Sequence, residues 1–281
     1  MKPDFIGIGV QKAATSWLFE VLSAHPEIYM GKGNEKDTRF FSCHFERGYY
    51  WYESHFEGRG AAMVAGEYST SYFNDSDAPV RIHNYAPDIK LIVCLREPVD
   101  RAYSSHKHQV QLGYAVGELA NFERGLENNP TYVDQSLYYK HLSKWYQLFD
   151  KEQILVLLMD DIRQAPQRVV ERLYRFLGVN STFTPSVLER HVNVSVKHRS
   201  QNVEKVITSV SRIMRRIGAG WLIDFVKKVG LRDRIRIANT IDQSIAFERP
   251  EEKTVNRLRL TFRKDIEQLE SLIGLDLSAW K

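Results

Sequence analysis

Cysteine is nearly absent: Cys43 and Cys94 are the only two in 281 residues. Two cysteines cannot complete a structural zinc site, and they make a disulfide framework a poor expectation. Long apolar runs are missing too. No stretch reaches the roughly 20 residues a membrane-spanning helix needs. The first apolar segment already begins at Phe5, so no signal peptide is expected and a cytoplasmic location is. Large charge imbalance is also lacking. A formal net charge of +4, with no recognition motif, argues against reading of duplex nucleic acid yet suits an anionic ligand. Two phosphate-binding patterns fail as well. The Walker pattern wants a Gly-Lys pair, but the positions after Gly9 carry Ala14, Thr15 and Ser16; the dinucleotide pattern fails because Lys12 stands where its third glycine would be.

What is present is an alternation of strands and helices. Phe5–Val10 reads as an apolar strand, followed by a helix ending near Ala24. A short strand at 63–67 precedes a helix from about Ala78 to Tyr85, and Lys90–Leu95 is a third strand with Pro98 in the first turn of the next helix. Leu137–Phe149 has helical period, Ile154–Met159 is a strand, and Pro166–Leu177 is a helix closed by Gly178. This order predicts an α/β fold with a parallel sheet. Residues 26–62 and 113–136 read as aromatic-rich loops. Residues 201–249 read as helical and basic, with Lys and Arg gathered at 205–236, and 250–273 as a final amphipathic helix. The chain is therefore expected to be a single domain, an α/β core over 1–200 with an appended helical layer over 201–281. The basic stretch has three readings: a solvated face, a hold on an anionic acceptor or acidic membrane surface, or an oligomer contact.

Two strand ends carry chemistry. The turn after Phe5–Val10 holds Lys12 and opens a helix at Thr15 and Ser16. Free amide groups and the positive dipole end make such a turn an anion site. The plain alternative is a strand–helix turn with a solvated lysine. The strand Lys90–Leu95 runs into Arg96, with Ser104 about two turns into the following helix. Arg96 suits a phosphate, or it pairs with Glu97 or Asp100. In an open parallel sheet, ligands bind at the carboxyl edge of the strands. Two cation–hydroxyl pairs at that edge point to a nucleotide phosphorylated at both ends.

These segments resemble the sulfotransferases that use 3'-phosphoadenosine 5'-phosphosulfate (PAPS), in particular the branch of the heparan sulfate enzymes and their bacterial relatives. FIGIGVQKAATSWL resembles the family's 5'-phosphosulfate loop and LIVCLREPVDRAYS its 3'-phosphate segment. EKDTRFF at 35–41 and GEYSTSYF at 66–73 resemble acceptor-side segments, and SLYYKHLSKW with QILVLLMDDIRQAPQRVVERLYRFLGV resembles its central run. The resemblance covers roughly residues 4–200. It implies a P-loop-like three-layer fold and a cofactor site made by Gln11, Lys12, Ala13, Ala14, Thr15, Ser16 and Trp17 at the 5' end. Arg96 and Ser104 would hold the 3'-phosphate, with Lys197 and Arg199 on a late basic loop closing over the cofactor. Lys12, Asp37 and Arg39 become the catalytic candidates, Asp37 standing where these enzymes place a glutamate base and Arg39 where some have histidine. Three departures stand out: alanines at 13 and 14 in place of glycines, Tyr68 in place of a lysine, and Asp37 in place of the longer glutamate.

Sulfuryl transfer is an in-line displacement in which positioning and charge stabilisation do most of the work. A cation such as Lys12 must meet the charge growing on the leaving phosphate, and a base must take the acceptor's proton. Asp37 has rivals as the base in Glu35, His44, His106 and His108. Glu67 could orient Lys12 or pair with another cation, while Phe40, Phe41, Tyr72 and Phe73 could be core or acceptor wall. The product would be 3',5'-adenosine bisphosphate (PAP), and the scheme requires no metal. The acceptor would be a hydroxyl, or secondarily an amine, of a glycan, glycolipid or small natural product. Two rival functions are a kinase-like phosphotransferase and a non-catalytic nucleotide-binding module.

Overall fold

The structure, a computed structural model, describes residues 1–189 and 247–281, together with the backbone of a short strand pair at Lys197–His198 and Thr240–Ile241. The larger unit comprises Met1–Val192 with Pro250–Lys281; the strand pair belongs to a separate unit, Asn193–Arg249.

Five strands of the larger unit form one parallel sheet: β1 (Phe5–Gly9), β2 (Ile28–Tyr29), β3 (Val64–Tyr68), β4 (Lys90–Leu95) and β5 (Ile154–Leu158). Their spatial order is β2-β3-β1-β4-β5. β1 and β5 are buried throughout, and β4 is buried except at Lys90. Burial on both faces is why FIGIG, LIVCL and ILVLL are continuous apolar runs and not alternating ones. β2 is new relative to the sequence reading. It pairs Ile28 with Val64 and Tyr29 with Ala65, and two residues are too short to show a period.

Ten helices follow the strands in this unit up to Leu177: α1 (Thr15–Ala24), α2 (Phe40–Cys43), α3 (Gly48–Glu53), α4 (Ala78–Tyr85), α5 (Pro98–Gln111), α6 (Phe122–Asn128), α7 (Thr131–Asp134), α8 (Tyr138–Tyr146), α9 (Met159–Gln164) and α10 (Pro166–Leu177). Near the end of the chain lies α11 (Glu252–Ile273). Glu97 caps α5 by accepting from the amides of Val99 and Asp100, and Gly178 ends α10 in the left-handed conformation with φ 80°. α11 packs on α8 and α5. It is anchored by Asp265, whose carboxylate accepts from the Tyr139 and Lys140 amides at the start of α8. The segments 26–62 and 113–136 therefore hold short helices as well as loops. The helical reading of 201–249 lies almost wholly outside the described residues. Where the chain is described there, Thr240–Ile241 is strand, a conformation that suits two β-branched residues.

β1 lies at the centre of the sheet, and the chain leaves it for β2 and β3 on one side before returning to β4 and β5 on the other. The carboxyl end of β1 is thus the place where successive connections diverge, the position at which open α/β sheets bind ligands.

Candidate active site

The turn after β1 is tightly held. The Val10 amide donates to Cys94 O on β4 at 3.0 Å. Lys12 and Ala14 then adopt φ of 74° and 53°, a region costly for residues with a Cβ and tolerated where the surroundings over-determine it. The alanines at 13 and 14 therefore do not prevent the turn; both pack into the core. Ala14 is the N-cap of α1 and provides no side-chain acceptor. The first-turn amides of α1 thus have no side-chain cap, with the helix dipole behind them. Thr15 is buried and Ser16 exposed, and both hydroxyls sit on this turn. Gln11 is half-buried; Trp17 is buried, with Nε1 lacking a partner among the described residues.

Around this turn several cations gather. Burial pulls the Lys12 ammonium down to about 8, and the nearby cations Arg96, Lys107 and Lys36 push it the same way. No carboxylate is among the groups acting on it. Arg96, at the end of β4, donates to Lys12 O at 3.3 Å and to Asp100 at 3.2 Å. Its Nε is buried with no partner among the described residues. The Arg96–Asp100 pair is real but uses one edge of the guanidinium; Glu97 is taken up by the α5 cap instead. Tyr138 fixes the backbone here by donating to Arg96 O at 2.8 Å. Ser104 lies on α5, and Lys107 and His108 stand three and four residues on along the same helix face. Burial and the charge of Lys12 hold His108 below the ordinary histidine range. Clustered cations, an orphaned guanidinium N–H and an uncapped helix start together fit an anionic group.

The carboxyl end of β3 supplies the neighbouring wall. Tyr68 is fully buried, donates to Gly9 O at 2.8 Å, and lies across Gly7. A Cβ on Gly7 would fall 2.2 Å from the Tyr68 ring. Asp37 has φ 64°, which aspartate tolerates better than most residues. Its amide donates to Tyr68 O at 3.0 Å, and its Oδ1 accepts from the Thr70 amide at 2.9 Å and the Thr70 hydroxyl at 3.1 Å. Its Oδ2 accepts nothing from the described residues. Arg39 has an exposed side chain and opens α2 with φ 54°.

Glu67 does neither of the things its sequence position suggested. It is buried and bonds no cation among the described residues. Its Oε1 accepts from Tyr52 and Tyr72 at 2.9 and 2.8 Å, and its Oε2 from Thr38 and Ser69 at 2.5 and 2.7 Å. Burial raises its proton affinity and the four hydroxyls oppose that. Phe40, Phe41, Tyr72 and Phe73 are core residues and not acceptor wall. His106 is buried and held through Nε2 on Ala120 O at 3.0 Å, with Nδ1 packed against Gly125; it serves the fold. His44 lies beside Glu46 at 4.0 Å and Glu35 is exposed. Arg199, the Lys197 side chain and the basic 205–236 stretch lie outside the described residues.

Sequence reasoning missed two cations at the site. Lys36 donates to Thr15 Oγ1 at 2.9 Å and to Ser16 Oγ at 3.3 Å. Lys107 acts on Lys12 from α5. Position 107 could have been found from its helical spacing to Ser104; position 36 gives no such signal, because it meets α1 only through the tertiary fold.

A model of the sulfotransferase domain matches residues 2–221 of the chain. Human heparan sulfate glucosamine 3-O-sulfotransferase 6 is 32% identical over 187 residues, covering 65% of this chain and 54% of that protein. Mouse bifunctional heparan sulfate N-deacetylase/N-sulfotransferase 1 is 31% identical over 199 residues, covering 64% of this chain and 22% of that protein. The chain thus spans about half the length of the first and under a quarter of the second. The crystal structure of a sulfotransferase from Alicyclobacillus acidocaldarius has the same fold, with a TM-score of 0.70 at 24% identity over 100% of this chain and 99% of that one. With the parallel sheet and the matched domain in agreement, the chain belongs to the sulfotransferase family.

Proposed function

We propose that the chain transfers a sulfuryl group from PAPS to a hydroxyl of a glycan, with glycolipids, small natural products and amines as further acceptor classes. The observation that carries this is the gathering of Lys12, Arg96, Lys107 and Lys36 around the uncapped start of α1, close enough for the other three to depress the Lys12 ammonium. PAPS has anionic groups at both ends of its nucleoside, and the cluster has a cation at the ends of both β1 and β4. When bound, PAPS supplies the sulfuryl group and a phosphate leaving group.

The residues divide the work by position. Lys12, the uncapped first-turn amides of α1 and the Thr15 and Ser16 hydroxyls would hold the 5' end, with Gln11, Ala13 and Ala14 shaping the turn and Trp17 beneath it. Arg96 would hold the 3'-phosphate through its orphaned Nε, and Ser104 would add a hydroxyl donor. Lys12 would stabilise the charge that grows on the leaving oxygen. Asp37 would take the acceptor's proton at Oδ2, its Oδ1 being fixed by Thr70. Arg39, exposed beside it, would contact an anionic acceptor. The heparan sulfate relatives support a sugar acceptor.

The test is an acceptor screen with PAPS over glycans, glycolipids and small hydroxyl compounds, read by release of PAP and by the mass of the product. Release of PAP with a sulfated product is expected. Consumption of ATP with magnesium, and none of PAPS, would favour a phosphotransferase instead.

A further inference from the structure

Lys36 does more than add charge. Its ammonium has three protons to give and no lone pair. At 2.9 Å from Thr15 Oγ1 and 3.3 Å from Ser16 Oγ, it forces both hydroxyl oxygens to be acceptors. Each hydroxyl proton is then left for another partner. Helical threonines and serines commonly give that proton to the carbonyl four residues back. Neither Thr15 nor Ser16 donates to any described group. The oxygens are occupied on one side and the protons are unspent on the other, at the start of a helix whose amides are also uncapped.

The lysine itself is well anchored. Nζ lies 5.8 Å above the Tyr68 ring, a cation–π contact. Tyr68 is pinned by its bond to Gly9 O and by its packing on Gly7. Lys36 forms no ion pair among the described residues, although the neighbouring Asp37 attracts it. A merely solvated lysine would not be half-buried between two hydroxyls and a ring.

We propose that Lys36 is a positioning residue for the 5' end of the nucleotide, holding the Thr15 and Ser16 hydroxyls with their protons directed at the bound anion. This inference rests on the nucleotide reading above. Donation from a cation also polarises each hydroxyl and makes it a stronger donor. The effect belongs to the 5' anion alone, since Arg96 and Ser104 act at the other end.

The experiment compares two probes by calorimetry: 3',5'-adenosine bisphosphate and adenosine 3'-monophosphate, which lacks the 5' anion. Lys36→Met is expected to lose about tenfold or more in affinity for the bisphosphate, with no change for the monophosphate. Lys36→Arg is expected to keep most of the affinity, and this variant carries the test should Lys36→Met fold poorly. In a Thr15→Val, Ser16→Ala background, Lys36→Arg and Lys36→Met are expected to bind the bisphosphate alike. Equal loss for both probes would mark Lys36 as a structural strap and overturn the inference, as would no loss for either. Wild-type protein that binds the bisphosphate no better than the monophosphate would overturn the nucleotide reading itself, and the inference with it.

Discussion

Lys12 is held at about 8 by burial and by three surrounding cations, so at neutral pH it is a charge the empty protein accommodates at a cost. The sign of the linkage follows. Between about pH 8 and the ordinary lysine range, the unfolded chain binds the extra proton and the folded one does not, so this group's contribution to stability rises with pH. Lys12→Met is therefore expected to raise the melting temperature of the ligand-free protein at pH 7 while destroying turnover; a lower melting temperature would contradict the repulsion inferred here. A bound anion favours the protonated lysine, so affinity for 3',5'-adenosine bisphosphate should fall above pH 8, approaching about tenfold per pH unit. Titration from pH 7 to 9.5 measures this, and a flat profile would remove Lys12 from the site. Arg96→Ala should weaken bisphosphate binding by about 1.5–3 kcal/mol, the range for a charged hydrogen bond; unchanged binding would leave its orphaned Nε without a purpose. Asp37→Asn should slow turnover by roughly 10²–10⁴-fold with bisphosphate affinity intact. If His108→Ala does this and Asp37→Asn does not, the base is the histidine beside Lys12.

At the scale of elements, the carboxyl ends of β1 and β3 behave as one piece. Tyr68 spans Gly7 and Gly9, Asp37 is tied to Tyr68 and Thr70, and Glu67 gathers hydroxyls from Thr38, Tyr52, Ser69 and Tyr72. Gly7→Ala drives a methyl into the Tyr68 ring and should destabilise the fold by about 1–3 kcal/mol in denaturant unfolding, as overpacking does. An unchanged midpoint would mean that Tyr68 is free to move aside. The strands were readable because residues buried on both faces form apolar runs, and the turn was readable because a lysine and two hydroxyls follow β1 directly. The roles of Lys36 and Glu67 were not. Lys36 meets partners 20 and 21 residues away in sequence, and Glu67 meets partners as far as 29 residues away. Local pattern contains nothing about such pairings. The aromatics stayed undecided for the same reason: Phe40 and Tyr72 fit a sugar-binding wall or a core until the fold buries them.

For the whole molecule, the sheet order places the ends of β1 and β4 side by side, and this brings the two cation–hydroxyl pairs together, as the proposed ligand with two anionic ends requires. The family's domain extends over the same region. The departures at 13, 14 and 68 leave the turn intact: the alanines pack inward, and a cation reaches the site from position 36 while Tyr68 braces β1. The measurement that tests this account most directly is a thermal-shift titration with 3',5'-adenosine bisphosphate against ADP and against ATP with magnesium. At about 100 times its dissociation constant a ligand should stabilise the fold by about 2.7 kcal/mol. A clear shift with the bisphosphate and a much smaller one with ADP is the expected result. A shift with ATP and magnesium, and none with the bisphosphate, would contradict the two-anion site and the sulfuryl-transfer function built on it.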